Sequence, residues 1–117
     1  MDPAEVEERI RAICLGLPEA VEEPFGGHTA PSYRVRGKLF VMTSEDGSYM
    51  TLKAAPGVQE ALVTSDPGRF FVPAYVGSKG WIGARLDTKQ DWAELAGLIT
   101  DSYRLIAPKA LVKGLLS

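Results

Sequence analysis

The N-terminal residues place apolar side chains at helical spacing. Asp2 supplies a hydrogen-bond acceptor ahead of this stripe, and Pro3 suits the first position of a helix. The pattern predicts an amphipathic helix that ends near Gly16 and Pro18. The stripe consists of Val6, Ile10, Ile13, Cys14 and Leu17. The segment from Pro18 to Pro31 is interrupted by further prolines and glycines, which predicts an ordered loop.

The next part of the chain changes to strand-like patterns. The three predicted strands are Tyr33–Arg36, Leu39–Thr43 and Tyr49–Lys53. Gly37-Lys38 separates the first two, and Asp46-Gly47 separates the second and third. Asp-Gly between two such runs is a strong short-range signal for a β-hairpin, so the three strands are expected to form an antiparallel meander.

The C-terminal half alternates between short strands and helices. The predicted elements are a short helix from Pro56 to Leu62, strands at Phe70–Val72 and Trp81–Leu86, a long helix from Trp92 to Ile106, and an extra turn or short helix at Ala110–Leu116. The core order is therefore α-β-β-β-α-β-β-α. Strands and helices come in blocks, which predicts an α+β fold with a mainly antiparallel sheet and helices packed on one face. Residues 1–117 are read as a single domain.

Composition narrows the classes of function. The single cysteine, Cys14, rules out an intrachain disulfide and any multi-cysteine metal site. No apolar run approaches the roughly 18 residues that span a bilayer, and the acidic N-terminus is unlike a secretory signal. We therefore expect a cytoplasmic protein with no membrane partner, no metal and no cofactor.

The net charge of −2 is a mild argument against nucleic-acid binding, but the charges are unevenly distributed along the chain. Residues 1–30 contain seven acidic residues and two arginines, whereas the other 87 residues contain eleven basic and eight acidic residues. This distribution predicts an acidic N-terminal segment beside a mildly basic remainder.

Several strings, taken in order, resemble a known family. They are Pro24-Phe25-Gly26, Val35-x-Gly37-Lys38-x-Phe40, Leu52-Lys53 followed by Pro56, Pro73-Ala74-Tyr75, Lys79-x-Trp81 and Ser102-Tyr103. Their order and spacing are similar to those of the MmcQ/YjbR family of small bacterial proteins, over about residues 5–110. The resemblance implies the fold order given above.

The same resemblance implies DNA binding by two β-hairpins acting as paired wings. The first wing is then Tyr33–Thr43, and the second lies around Lys79 and Trp81. The candidate nucleic-acid-binding residues are Arg34, Arg36, Lys38, Lys53, Lys79 and Trp81. The commoner family pattern has an Asn-Lys pair and a histidine before the tryptophan, and the stretch Gly77–Trp81 lacks the asparagine and the histidine.

Other interpretations of these residues remain open. The basic hairpin can be a solvated sheet face whose charges prevent edge-to-edge pairing, and Trp81 can be a core residue. His28, the only histidine, has no evident nucleophile beside it, and no catalytic residue is assigned. The competing functions are a protein-interaction or chaperone-like module, including a homodimer, and a small-ligand site or unrecognised enzyme in which Phe25 and His28 face Tyr75, Lys79 and Trp81 across a cleft.

Overall fold

The chain folds into a six-stranded antiparallel sheet with helices packed against it. The computed structural model describes residues 2–24 and 30–115. In chain order the elements are α1 (Pro3–Leu15), β1 (Ala20–Pro24), β2 (Pro31–Val35), β3 (Lys38–Thr43), β4 (Tyr49–Lys53), α2 (Val58–Ser65), β5 (Phe70–Phe71), a 3-10 turn (Gly77–Lys79), β6 (Trp81–Arg85), α3 (Trp92–Ile106) and α4 (Lys109–Leu115). The strands are hydrogen-bonded in the order β1-β2-β3-β4-β6-β5. The predicted α+β class and the order of the predicted elements are confirmed.

The strand β1 was not expected from the sequence. The loop predicted between Pro18 and Pro31 is wrong for Ala20–Pro24, which pairs antiparallel with β2 over five residues. Four of the five β1 residues are exposed, so the strand has no alternating apolar pattern that sequence reasoning can detect. It forms because β2 offers a free edge. Residues 25–29, with Phe25 and His28, lie outside the described part of the chain.

The first helix follows its sequence signals closely. The Asp2 carboxylate accepts a hydrogen bond from the Glu5 backbone N–H at 2.9 Å, which caps the helix as predicted. Val6, Ile10 and Cys14 are its buried residues. Burial raises the pKa of the Cys14 thiol, so this cysteine behaves as a small core residue and not as a reactive thiolate.

The turn between β2 and β3 lies one residue earlier than predicted. Val35 and Lys38 are paired, and the two residues between them have positive φ angles, 51° at Arg36 and 80° at Gly37. This is a two-residue turn of type I′, whose twist matches that of the flanking strands. Lys38 therefore begins β3 and does not belong to the turn.

A β-bulge in β3 places two consecutive residues in the core. Tyr33 pairs with Val41 and Arg34 pairs with Leu39, so Phe40 has no partner on β2. An extra residue of this kind bends the strand locally. Both Phe40 and Val41 are fully buried. The Phe40 ring meets the ring of Tyr103, from α3, edge to face at 5.5 Å.

A serine of α3 connects the two central strands beside this bulge. The Ser102 hydroxyl donates to the Phe40 carbonyl at 2.7 Å and accepts from the Lys53 backbone N–H at 3.0 Å. Ser102 is fully buried, so water cannot replace it without a rearrangement. The hydroxyl therefore joins α3, β3 and β4 at one end of the sheet.

Replacing this serine tests the arrangement. In Ser102→Ala two buried backbone groups lose their partner, and we expect a loss of about 2–4 kcal/mol in the free energy of unfolding, measured by urea denaturation. The control Ser78→Ala changes an exposed serine and should stay within about 0.5 kcal/mol of the parent protein. A loss below about 1 kcal/mol for Ser102→Ala would show that the two hydrogen bonds of Ser102 do not stabilise the fold to this extent.

Candidate functional site

Three of the candidate basic residues lie at the same end of the sheet. Lys38 is the first residue of β3, Lys53 is the last residue of β4, and Lys79 comes two residues before Trp81, the first residue of β6. Because β3, β4 and β6 are antiparallel neighbours, these three positions meet at one end. We call Lys38, Lys53 and Lys79 the lysine end.

These lysines are available to a partner. Lys38 and Lys79 are exposed, and Lys53 is half-buried. Within residues 2–24 and 30–115, none of the three forms an ion pair. The register places Lys38 on the same side as the buried Val35, whereas Lys53 points to the opposite face. The lysine end is therefore a basic rim and not a patch on one face.

The two candidate arginines have acidic partners instead. Arg36 donates two hydrogen bonds to the Glu19 carboxylate, at 2.6 and 2.9 Å. The Arg34 guanidinium lies 3.6 Å from a carboxylate oxygen of Glu23 and donates to the Gly37 carbonyl at 3.1 Å. A phosphate group must therefore compete with a carboxylate for each arginine.

The Arg36–Glu19 pair fixes a local conformation. Glu19 lies between α1 and β1 with a φ of 58°, and Arg36 has a φ of 51°, so both residues adopt the left-handed region that favours glycine. The hydrogen bond from Arg36 holds the pKa of the Glu19 carboxyl below its usual range. The pair joins the α1–β1 connection to the tip of the β2–β3 hairpin.

A similar contact ties α1 to β1. Arg11 donates to both carboxylate oxygens of Glu22, at 2.8 and 3.2 Å. Three carboxylates from residues 19–23 thus meet three arginines from elsewhere in the chain. The acidic N-terminal segment and the more basic remainder are not separated in space. Sequence reasoning missed this neutralisation because it did not detect β1.

The aromatic candidate, Trp81, is buried, with 9% of its surface exposed. Its carbonyl accepts a hydrogen bond at 2.6 Å from the side-chain amide of Gln59, which also donates to the Gly77 carbonyl at 2.8 Å. These contacts hold the 3-10 turn before β6. The Trp81 ring therefore offers little surface for stacking on a base.

A second feature is a cleft on the sheet face opposite α1 and α3, which we call the open face. The cleft has a volume of about 760 Å³. The side chains of Met42, Thr51 and Phe71 line it from the strands, the β3–β4 hairpin at residues 43–46 forms one wall, and the loop Pro73–Val76 forms the other. The string Pro73-Ala74-Tyr75, which carries part of the family resemblance, thus lines this cleft.

Aromatic rings dominate the cleft. Tyr49 and Phe71 meet edge to face at 5.3 Å. The Phe71 ring extends over Gly83, where a Cβ atom would lie 2.3 Å from the ring, so glycine is needed for this approach. Tyr75 is 98% exposed and has a φ of 66°, an uncommon conformation for a bulky residue. The Arg85 guanidinium lies 4.9 Å from the centre of the Phe71 ring.

Two polar groups complete the cleft. Thr51 is 3% exposed, and its buried hydroxyl has no hydrogen-bond partner. Asp46, in the hairpin loop, accepts hydrogen bonds from the Ser44 and Ser48 hydroxyls and from the Ser48 backbone N–H. The bonds from Ser48 and Ser44 lower the pKa of the Asp46 carboxyl, so it is ionised at neutral pH.

Sequence reasoning found only part of this cleft. The sequence predicts a cleft in which Phe25 and His28 face Tyr75, Lys79 and Trp81. Tyr75 lines the observed cleft, Lys79 and Trp81 do not, and Phe25 and His28 lie outside the described part of the chain. Thr51 was not singled out, although a threonine between Met50 and Leu52 in a strand is a weak signal of a polar contact. Nothing in the sequence brings the loop at residues 73–76 next to the β3–β4 hairpin.

Among the residues that the structure describes, no group of three or more His, Cys, Asp or Glu side chains is arranged to hold a metal ion. In the same residues, no helix combines the length and the apolar character that crossing a bilayer requires.

The comparisons with known proteins agree with this fold. The model of the YjbR family matches residues 15–105, so the chain belongs to the YjbR family. No curated protein matches the chain significantly. Among solved structures, the chain is similar to the crystal structure of Deinococcus radiodurans protein DR2400, described as having a DUF419 domain. The TM-score is 0.77 at 22% sequence identity, covering 89% of this chain and 80% of that one, which shows a shared fold.

The Arg36–Glu19 pair can be tested by titration. In Arg36→Gln the carboxylate loses its charged donor, and we expect the pKa of Glu19 to rise toward its ordinary value of about 4.3. Side-chain ¹³C NMR across the acid range measures this pKa, and Asp46, held by Ser48 and Ser44, is the control that should not change.

The sign of the pH effect follows from the lowered pKa of Glu19. The pair stabilises the fold above the ordinary glutamate pKa, and this contribution is lost as the pH falls through the lowered folded-state value. An unchanged Glu19 pKa in Arg36→Gln would contradict the ion pair.

Proposed function

We propose that the protein binds nucleic acid through the lysine end, with Lys38, Lys53 and Lys79 contacting phosphate groups. The observation that carries this proposal is that three lysines without an ion partner among the described residues meet at one sheet end. Membership of the YjbR family and the implied pair of β-hairpin wings support the same surface. Phosphate contacts of this kind are sequence-tolerant.

The arginines have a different part in this proposal. Arg34 and Arg36 lie next to the lysine end, but Glu23 and Glu19 already neutralise them. We expect them to contribute less than the lysines, because each must exchange a carboxylate for a phosphate. Trp81 is buried beneath this surface, so its ring is not assigned a direct contact with the nucleic acid.

Three phosphate contacts set the expected strength of binding. A contact count of three implies a slope of about −2.7 in a plot of log K against log salt for duplex DNA, or about a 40-fold loss of affinity between about 50 and 200 mM salt. The overall charge of −2 adds repulsion at long range. Binding should therefore be weak and strongly salt-dependent.

A pair of double variants tests the assignment. Lys53→Ala/Lys79→Ala removes two lysines of the lysine end, and we expect the salt slope to fall by about 1.8 in fluorescence anisotropy with random duplex DNA. The matched control is Arg9→Ala/Lys89→Ala. It removes two charges from the other end of the sheet, because Lys89 follows β6 and Arg9 stacks on Trp92, the first residue of α3.

The outcome discriminates between the competing functions. Equal losses in the two double variants, both confirmed as folded, would show a general charge effect and contradict the lysine end. An absence of binding to duplex DNA, single-stranded DNA and RNA at about 50 mM salt would reject nucleic-acid binding altogether. It would favour the protein-interaction module or homodimer that the sequence leaves open.

A gain of binding is expected when an acidic partner is neutralised. Glu19→Gln removes the charge that competes for Arg36, so affinity for duplex DNA should rise about two- to fivefold at low salt. Asp87→Asn changes an exposed residue that follows β6 at the other end of the sheet, so it makes the same change in net charge away from the hairpin and serves as the control. Equal gains in both variants would assign the effect to net charge alone.

A further inference from the structure

We propose that the cleft on the open face is a binding site for a small planar aromatic cation. The site is distinct from the lysine end. It lies between the β3–β4 hairpin and the loop Pro73–Val76, and β4 contributes Tyr49 and Thr51 to its lining. Neither Lys53 nor Lys79 lines it.

The size and the rings of the cleft favour a flat ligand. A volume of about 760 Å³ is in the range of small-molecule sites. Three aromatic side chains line it, from Tyr49, Phe71 and Tyr75. The faces of such rings attract both planar groups and organic cations. The Arg85 guanidinium already lies 4.9 Å from the centre of the Phe71 ring, so the rings of Tyr49 and Tyr75 are the ones proposed to meet the ligand.

The charge of the residues that line the cleft favours a cationic ligand over an anionic one. The Asp46 carboxylate lines the cleft, and no lysine or arginine among the described residues does so. Asp46 is held ionised by its three donors from Ser44 and Ser48. An anionic ligand would meet repulsion here, and a cation would be attracted.

The Thr51 hydroxyl supplies a contact for a ligand N–H group. A buried hydroxyl without a partner is unfavourable, and a valine of nearly the same shape would avoid this cost. Thr51 lines the cleft but its hydroxyl oxygen is buried, so an amino or amidine group in the cleft would complete its hydrogen bonding once the Thr51 side chain rotates toward the ligand. A polar group retained at such a cost is typical of functional sites.

A matched pair of probes tests the class of ligand. Benzamidine and benzoate share a planar ring of the same size, but at neutral pH the first is a cation and the second an anion. In ¹⁵N-HSQC titrations we expect benzamidine to shift the amide signals of Thr51, Tyr75 and Val76, with a Kd of about 1–10 mM for a ligand of this size. Benzoate should bind at least about tenfold more weakly.

Two conservative variants test the residues. Thr51→Val should raise Tm by a few degrees, because it removes the unpartnered hydroxyl, and should weaken benzamidine binding about fivefold. Asp46→Asn keeps a hydrogen-bond acceptor in the hairpin and should weaken binding about two- to fivefold. The matched controls, Thr100→Val and Asp101→Asn in α3, should leave the affinity unchanged.

The results that would overturn the proposal are distinct from a failure of nucleic-acid binding. Equal affinities for benzamidine and benzoate, or shifts that map outside the cleft, would reject the cationic site. So would the absence of any shift at about 20 mM benzamidine, or an affinity that Thr51→Val and Asp46→Asn leave unchanged. Lys53→Ala/Lys79→Ala should bind benzamidine like the parent protein, whatever its effect on DNA.

Discussion

The hydroxyl of Ser102 joins α3 to the two central strands, β3 and β4, and the packing of the helix on the sheet depends on this contact. Beside the bulge at Phe40, β3 and β4 leave a carbonyl and an N–H without partners in the ladder, and Ser102 satisfies both from α3. The edge-to-face contact between Phe40 and Tyr103 packs against the same point. The helix is thereby fixed at one end of the sheet, and the strand end that carries Lys53 is fixed with it.

Packing α1 and α3 on one face leaves the other face to be closed by loops. The β3–β4 hairpin and the loop Pro73–Val76 only partly cover it, so a cleft remains between them. The cleft is lined by aromatic rings, the carboxylate of Asp46 and the buried hydroxyl of Thr51, and this combination of apolar and polar groups supports the proposed binding site.

The charge exposed at the β2–β3 hairpin depends on ion pairs formed in the folded chain more than on the composition of the sequence. Arg34 and Arg36 alternate with apolar residues in the sequence, which suggests a free basic surface, yet β1 brings Glu23 and Glu19 against them. Lys38, Lys53 and Lys79 form no such pair within the described residues. The two proposed sites are therefore of opposite charge.

The helices and strands whose signals are local could be predicted from the amino-acid sequence. The cap at Asp2, the Asp46-Gly47 hairpin and the apolar stripe of α3 each depend on neighbours within a few residues, so the fold class followed from them. The strand β1 could not be predicted, because its exposed residues have no pattern until β2 offers an edge. The folded chain was needed to show which lysines lack an ion partner among the described residues and that Thr51 lines a cleft, because both depend on contacts between segments far apart in the chain.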